Sequence, residues 1–172
     1  MTNRFRALVV ACIALTLGPA GELAADRNVL PQGAPLLQAT GAFVGMSVAD
    51  AQSSARWYAE KLGLQIVMNV PHQQETRSKV IVLRGGGLTV ELVQHDDARP
   101  LRTAAPGTKG DALLVHGIFK AGLVVRNFEQ TLAGLRARGI EIAMGPWPAR
   151  ADQPANVIIK DNAGNLIQIF GT

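Results

Sequence analysis

The chain has 172 residues, which predicts one domain of ordinary size or two small repeats. Hydrophobic residues make up 48% of it and charged residues 17%, a balance typical of a globular protein and not of a disordered one. Aromatic residues account for 5%, and 17 lysines and arginines stand against 13 acidic residues. These values exclude an extensive base-stacking surface or a strongly basic face, so we expect no nucleic-acid partner.

The first 25 residues are predicted to be a secretory signal peptide. A basic start that ends at Arg6 is followed by an apolar run from Ala7 to Leu17 and then by small residues. We expect cleavage between about residues 20 and 25, a periplasmic or secreted protein, and no stable membrane insertion. A lipoprotein signal ending at Cys12 is the alternative, but fewer residues separate Arg6 from Cys12 than the ~7 that an apolar core needs. Because Cys12 is the only cysteine, no disulfide is expected.

The remainder of the chain divides by composition and pattern. Residues 26–40 contain prolines and a glycine and are predicted to form a linker or an N-terminal arm. Residues 41–172 are predicted to form the domain, with a first unit at 41–96 and a second unit at 112–172. The loop from His95 to about Asp111 joins the two units.

The first unit has the pattern β-α-β-β-β. It begins with a strand in which Val44, Met46 and Val48 alternate with residues of the opposite face. A helix follows, with Asp50 as N-cap and Gly63 as C-cap residue. Its apolar stripe consists of Ala51, Ala55, Tyr58, Ala59 and Leu62. Further strands are predicted at Leu64 to Val70, Ser78 to Leu83 and Leu88 to Gln94, the last entered through a hairpin turn at Gly85-Gly86-Gly87.

The second unit repeats this order. Its first strand carries Ala121, Leu123 and Val125 on one face. Asn127, with Gln130 three residues on, predicts a capping interaction at the start of a helix that Gly139 closes. The helix stripe consists of Phe128, Leu132 and Leu135, and strands follow at Ile140 to Met144, Asn156 to Lys160 and Asn165 to Phe170.

Equivalent positions of the two units are separated by a nearly constant number of residues. The separation is 77 for Val48 and Val125, for Gly87 and Gly164, and for Glu91 and Gln168, whereas it is 76 for Gly63 and Gly139. A constant separation that holds through different residue types predicts a duplication. The expected fold is therefore α+β, with two βαβββ repeats that form a cupped mixed sheet.

Four groups of residues resemble one superfamily. They are Val48-Ala-Asp50 with Arg56-Trp-Tyr58, Lys61-Leu-Gly-Leu64, Thr89-Val-Glu-Leu92, and Asp161-Asn-Ala-Gly-Asn-Leu-Ile-Gln168. In this order and spacing they resemble the vicinal oxygen chelate superfamily, which includes glyoxalase I, extradiol dioxygenases, and the fosfomycin and bleomycin resistance proteins. The resemblance covers Ala42 to Thr172 and implies a glyoxalase-like fold in which two βαβββ units surround a cavity.

The resemblance also implies where a metal ion would be held. Metal-using members take four ligands from the first and last strands of each unit, and these positions correspond to Phe43, Glu91, Lys120 and Gln168. Phe43 has no lone pair to donate and Lys120 repels a divalent cation, so Glu91 and Gln168 are the two oxygen donors left. We therefore expect no metal cofactor. A Lys120–Glu91 ion pair, with Gln168 as a further hydrogen-bond partner, is predicted in its place.

The three histidines lie outside these positions. His72 is predicted in the loop from Pro71 to Glu75, and His95 just beyond the last strand of the first unit. His116 precedes Lys120 by four residues, about 13 Å along an extended strand. We expect surface or strand-end histidines without a catalytic role, and the alternative is a divalent metal held by Glu91, Gln168 and His116.

Three functions are compatible with these residues. The first is a small-molecule binding protein, like the drug-sequestering members of the superfamily, with a cavity lined by Phe43, Glu91, Lys120 and Gln168. The second is a lyase, isomerase or dioxygenase, similar to lactoylglutathione lyase, with an altered metal-ligand set or with Lys120 as base or nucleophile. The third is an interaction module whose cavity is filled by aromatic side chains.

The sequence leaves the position of Trp147 and the oligomeric state unassigned. Trp147, between two prolines, is expected on a loop, either as a lip of the cavity or packed on the domain edge. A homodimer is compatible with the sequence. The small-molecule binding protein is the favoured reading, with its ligand and any catalytic residue unassigned.

Overall fold

A computed structural model of the chain describes residues 42–151 and 153–172. The first unit consists of β1 (Val44–Ser47), α1 (Ala51–Trp57), a π-helical turn (Tyr58–Leu62), β2 (Gln65–Gln73), β3 (Ser78–Gly85) and β4 (Leu88–His95). The connection contains α2 (Leu101–Ala104) and two 3₁₀ turns (Pro106–Thr108 and Ala112–Leu114). The second unit consists of β5 (Lys120–Val125), α3 (Phe128–Ala137), β6 (Glu141–Trp147), β7 (Asn156–Lys160) and β8 (Leu166–Gly171).

Each unit forms one four-stranded mixed sheet. The strand orders are β1-β4-β3-β2 and β5-β8-β7-β6. In each sheet the first strand of the unit pairs in parallel with the last one, and the other pairs are antiparallel. This arrangement confirms the predicted α+β fold of two βαβββ repeats.

The predicted signal peptide, Cys12 and the predicted arm at 26–40 lie outside the described residues. Within residues 42–151 and 153–172, no helix is both long and apolar enough to cross a lipid bilayer.

One face of each sheet is covered by the helix of its own unit. In the first unit, Ala55 and Tyr58 are completely buried, as are Leu83 and Val90 on the sheet. In the second unit, Leu132 of α3 belongs to the same cluster of buried side chains as the strand residues of both sheets. Burial of a leucine, isoleucine or valine side chain contributes about 1.5–3 kcal/mol, so this layer is the main source of stability. The opposite face of each sheet carries Glu91 in the first unit and Gln168 in the second.

A π-helical turn accommodates the one-residue difference between the two helices. The first unit has one residue more between Asp50 and Gly63 than the second has between Asn127 and Gly139. A π-helical turn is wider than an α-helical turn and takes up an inserted residue without ending the helix. Gly63 and Gly139 then adopt left-handed backbone conformations, with φ of 73° and 63°.

A second insertion, between β7 and β8 of the second unit, restores the separation of 77 residues between equivalent positions. Arg84 pairs with Thr89 across four intervening residues, whereas Lys160 pairs with Leu166 across five. As a result, the last strands of the two units are aligned: Glu91 lies opposite Gly45 on β1, and Gln168 lies opposite Gly122 on β5. The predicted equivalence of Glu91 and Gln168 is therefore confirmed.

Helix capping agrees with the prediction in the first unit and not in the second. Asp50 Oδ1 accepts a hydrogen bond from the Ser53 amide at 2.9 Å, as predicted. Asn127 occupies the N-cap position of α3, but its side chain makes no capping hydrogen bond. Instead, Thr131 Oγ1 donates to the Asn127 carbonyl at 2.8 Å. The predicted capping interaction between Asn127 and Gln130 is wrong: Thr131 bonds a carbonyl and supplies no acceptor for the first amides of α3.

Two residues that we expected on loops lie on strands. His72 belongs to β2, which continues to the pair between Gln73 and Ser78, and Trp147 is the last residue of β6. Both residues have a proline beside them in the sequence, and prolines indicate loops. However, β2 and β6 are edge strands, where a proline costs no sheet hydrogen bond if its position faces outward. His95 is the last residue of β4 and does not lie beyond it.

A buried tyrosine connects the two units. Tyr58 is completely buried, and its hydroxyl donates to Asp161 Oδ2 at 2.9 Å and lies 3.0 Å from Met46 Sδ. Asp161 begins the turn between β7 and β8, and this turn supplies its other donors, the amides of Ala163 and Asn165 and the side-chain amide of Asn165. The buried carboxylate therefore has a full set of hydrogen bonds, one of which comes from the other unit.

The ends of the two helical segments also contact each other. Arg138 Nη1 donates to the Lys61 carbonyl at 2.8 Å, and the Lys61 ammonium donates to the Arg138 carbonyl. Positively charged side chains interact favourably with the carbonyl groups at helix C-termini. The reciprocal contact thus complements the bond between Tyr58 and Asp161 in holding the units together.

We predict that this connection makes the fold sensitive to alkaline pH. Burial, together with the charge and hydrogen bond of Asp161, raises the pKa of Tyr58 well above its usual range. Below pH ~10 the phenol is neutral in both states, but above it the unfolded chain releases a proton that the folded chain retains. The free energy of unfolding should then fall by up to about 1.4 kcal/mol per pH unit from this group.

Tyr58 is the only tyrosine, so near-ultraviolet tyrosinate absorbance reports on this residue alone. The absorbance change should coincide with unfolding measured by circular dichroism. The variant Tyr58→Phe controls for the titration of lysines, and its stability should decline less steeply above pH ~10. Ionisation near pH 10 in a chain that stays folded would contradict the prediction.

Candidate functional site

The edge strands β1 and β5 border a cavity between the two sheets. This cavity, which we call the seam cavity, has a volume of about 580 Å³. The first unit contributes Phe43, Met46 and Tyr58 to its lining, and the second contributes Lys120, Leu123 and Ile167. Of the described residues that line it, Lys120 is the only charged one.

A second cavity lies beside the hairpin between β3 and β4. This hairpin cavity has a volume of about 820 Å³ and is lined by Phe43, Arg84, Thr89, Glu91 and the glycine turn. Phe43, 69% exposed, contributes to both cavities. The structure therefore brings Phe43 together with Glu91 in one cavity and with Lys120 in the other.

Lys120 and Gln168 form the polar centre of the seam between the units. The Lys120 ammonium donates a hydrogen bond to Gln168 Oε1 and lies 5.1 Å from the centroid of the Phe119 ring. Gln168 is only 2% exposed, and its Nε2 donates to Asn156 Oδ1 at 3.0 Å. The contact with Asn156 fixes the amide group so that its oxygen points towards Lys120.

Strand geometry explains this contact. Lys120 and Gly122 are two residues apart on β5 and therefore share a face, and Gln168 on β8 lies directly opposite Gly122. Because Gly122 has no side chain, Gln168 is accessible to its diagonal neighbour Lys120. Phe43 has the same relation to Glu91 through Gly45, since β1 and β4 are paired in the equivalent register.

The predicted Lys120–Glu91 ion pair is not formed. Among the residues that the structure describes, the ion pairs within 4.0 Å involve His72, Arg77 and Lys160 as the cationic partners. Lys120 and Gln168 are on neighbouring strands of one sheet, whereas Glu91 belongs to the other sheet. The hydrogen-bond partner predicted as secondary, Gln168, is the one that holds the ammonium.

The residues at the four family positions do not fit a divalent cation. Gln168 Oε1 already accepts a hydrogen bond from an ammonium group, so a cation cannot approach it without displacing Lys120. Phe43 offers no donor atom, which leaves Glu91 as the one available ligand. In the described part of the chain, no group of three or more histidine, cysteine, aspartate or glutamate side chains is arranged to hold a metal ion.

The remaining candidates lie away from this centre. His116 is exposed in the segment before β5, which begins only at Lys120. Trp147 is half-buried and packs against Gly145, where an added Cβ would lie 2.8 Å from the indole ring. It is not among the described residues that line the two cavities.

Sequence reasoning missed two neighbours of the polar centre. Asn156 is 6% exposed and orients Gln168, and the available signal was an asparagine at the start of an otherwise apolar strand. Phe119, beside the ammonium, immediately precedes β5 and carried no pattern that would have identified it.

Comparisons with known proteins agree with this architecture. The family model described as the Glyoxalase/Bleomycin resistance protein/Dioxygenase superfamily matches residues 42–169. No curated protein matches the sequence. Among solved structures, a glyoxalase family protein from Enterococcus faecalis has a TM-score of 0.58 at 20% identity, covering 74% of this chain and 94% of that chain.

Two other solved structures show the same fold. A glyoxylase/bleomycin resistance protein/dioxygenase domain from a Frankia species has a TM-score of 0.59 at 18% identity, covering 77% of this chain and 97% of that chain. The genomically encoded fosfomycin resistance protein from Listeria monocytogenes, in complex with Mn(II) and a dihydroxypropylphosphonic acid, has a TM-score of 0.51 at 12% identity. That comparison covers 78% of this chain and 92% of that chain. From the family match over most of the domain, the chain belongs to the glyoxalase/bleomycin resistance protein/dioxygenase superfamily.

Proposed function

We propose that this protein is exported and binds a small organic molecule in the seam cavity without a catalytic metal. The observation that carries the proposal is the Lys120–Gln168 hydrogen bond at positions where metal-using relatives would have two ligands. Lys120 lines the cavity and provides a polar anchor for a ligand, and its bond to Gln168 opposes the binding of a metal ion.

The lining of the seam cavity supports a ligand with a substantial apolar part. Met46, Leu123 and Ile167 form its walls, and most of the other lining residues are apolar or glycine. Ile118 and Val124 are 93% and 63% exposed and also belong to the lining. Exposed apolar residues grouped around a cavity are typical of a binding site.

A homodimer of this chain stays a prediction.

Binding in the seam cavity is testable with the neutral, apolar dye Nile red. We expect saturable binding at one site per chain, detected as an increase in dye fluorescence. Gly122→Leu should weaken binding by about tenfold or more, because the new side chain extends into the cavity. A Cβ at Gly122 meets no atom closer than 3.9 Å, so this variant is expected to fold.

Gly134→Leu is the matched control. Gly134 lies on α3 outside the seam cavity, and a Cβ there has no atom within 4 Å. Binding by this variant should equal that of the unchanged protein. Absence of dye binding, or equal binding by Gly122→Leu, would contradict the proposed site.

Metal content tests the second part of the proposal. Purified protein exposed to Mn(II), Ni(II) or Zn(II) and then desalted should retain far less than one equivalent, because Lys120 faces the Gln168 oxygen. Elemental analysis measures the retained metal. One tightly held equivalent that disappears in Glu91→Gln would instead establish a metal site and favour a metal-dependent enzyme.

Export is proposed from the basic start and apolar run before residue 20. Mass spectrometry of the protein recovered from the periplasm or medium should show a new N-terminus between Gly21 and Asp26. Replacement of Leu15 by Arg in the apolar run should block cleavage, since a charge disrupts the apolar core of a signal peptide. An intact Met1 on a chain retained in the cytoplasm would show that this proposal is wrong.

A further inference from the structure

We infer that the ligand of the seam cavity is an organic anion, with its charged oxygens at Lys120 and its apolar part along the groove between β1 and β5. This inference rests on the proposed function and specifies its ligand class.

The Lys120 ammonium has N–H donors that the described residues do not use. An ammonium group carries three N–H donors, and one of them is directed at Gln168 Oε1. Elsewhere in the described residues, no other group accepts a hydrogen bond from it, and no carboxylate lies within 4.0 Å. The face of the Phe119 ring at 5.1 Å stabilises the charge but accepts no conventional hydrogen bond.

The surroundings of the ammonium favour an anion over a neutral polar molecule. Lys120 is half-buried among apolar lining residues, where an uncompensated charge is less well solvated than at an open surface. A carboxylate that bonds the ammonium compensates that charge with a charge-assisted hydrogen bond. The remaining acidic candidate, Glu91, lines the hairpin cavity and not the seam cavity.

The other lining residues define the rest of the ligand. Phe43, Ile118 and Val124 are exposed around the cavity, and Val124 is on the same face of β5 as Lys120. Transfer of an alkyl or aryl group from water to this lining is favourable in proportion to its apolar area. The chemical class is therefore an acid with an apolar chain or ring of a size that fits about 580 Å³.

A matched pair of probes separates the charge from the apolar part. Octanoate and 1-octanol have the same chain length and differ in their charged or neutral head group. In isothermal titration calorimetry, octanoate should bind the unchanged protein at least about tenfold more tightly than 1-octanol does. Lys120→Met should remove this preference by weakening octanoate and leaving 1-octanol within about twofold.

Two further variants control for charge and folding. Lys120→Arg keeps a positive charge and should retain the preference for octanoate. Lys79→Met removes the same charge from a lysine that also donates to a glutamine oxygen, that of Gln52 at 3.3 Å, but lies outside the seam cavity. This variant should bind both probes like the unchanged protein.

The possible failures are distinguishable. If octanoate and 1-octanol bind equally well in the unchanged protein and compete with Nile red, the proposed cavity stands and the inference about the anion is wrong. If an octanoate preference survives in Lys120→Met, the anion does not bind at Lys120 and the inference is also wrong. If neither probe binds and Nile red does not bind, the proposed function itself fails.

Discussion

The hydrogen bond between Tyr58 and Asp161 is the constraint on which the relative placement of the two units depends. A buried carboxylate is costly unless it is fully hydrogen-bonded, and the turn between β7 and β8 supplies only part of that set. The remaining donor comes from the helical segment of the first unit. Because β8 follows this turn and pairs with β5, the same contact determines where Lys120 lies relative to β1 and hence the shape of the seam cavity.

The polar centre is organised around a fixed cation, Lys120. A metal site needs several converging lone pairs, whereas an ammonium needs acceptors. Asn156 accepts a hydrogen bond from the Gln168 amide nitrogen, which leaves the amide oxygen oriented to accept one from the Lys120 ammonium. Lys120 and Gln168 therefore form one chemical unit.

Much of the fold could be predicted because the sequence pattern of one βαβββ unit occurs twice in the chain. The separation of 77 residues aligns Glu91 with Gln168, and the strand pairing confirms this alignment. The π-helical turn at Tyr58–Leu62 was not predictable, since the apolar stripe fits an α-helix equally well. Trp147 and His72 were misplaced because prolines indicate loops, and only the edge position of β2 and β6 makes prolines tolerable there. The partner of Lys120 was also mistaken, because opposite charge favoured Glu91 while strand adjacency favoured Gln168.

The π-helical turn has a consequence for how such a duplicated domain can diverge. An extra residue in a regular α-helix rotates every later side chain by about 100° about the helix axis, which would turn the apolar stripe away from the sheet. A local widening confines that rotation to a few residues, so β2 begins with the facing that β6 has in the other half. Single residues can thus be gained or lost at helix ends and hairpins while the four central strands keep their interior surfaces. The two halves can then carry different side chains, and different chemistry, on a common frame.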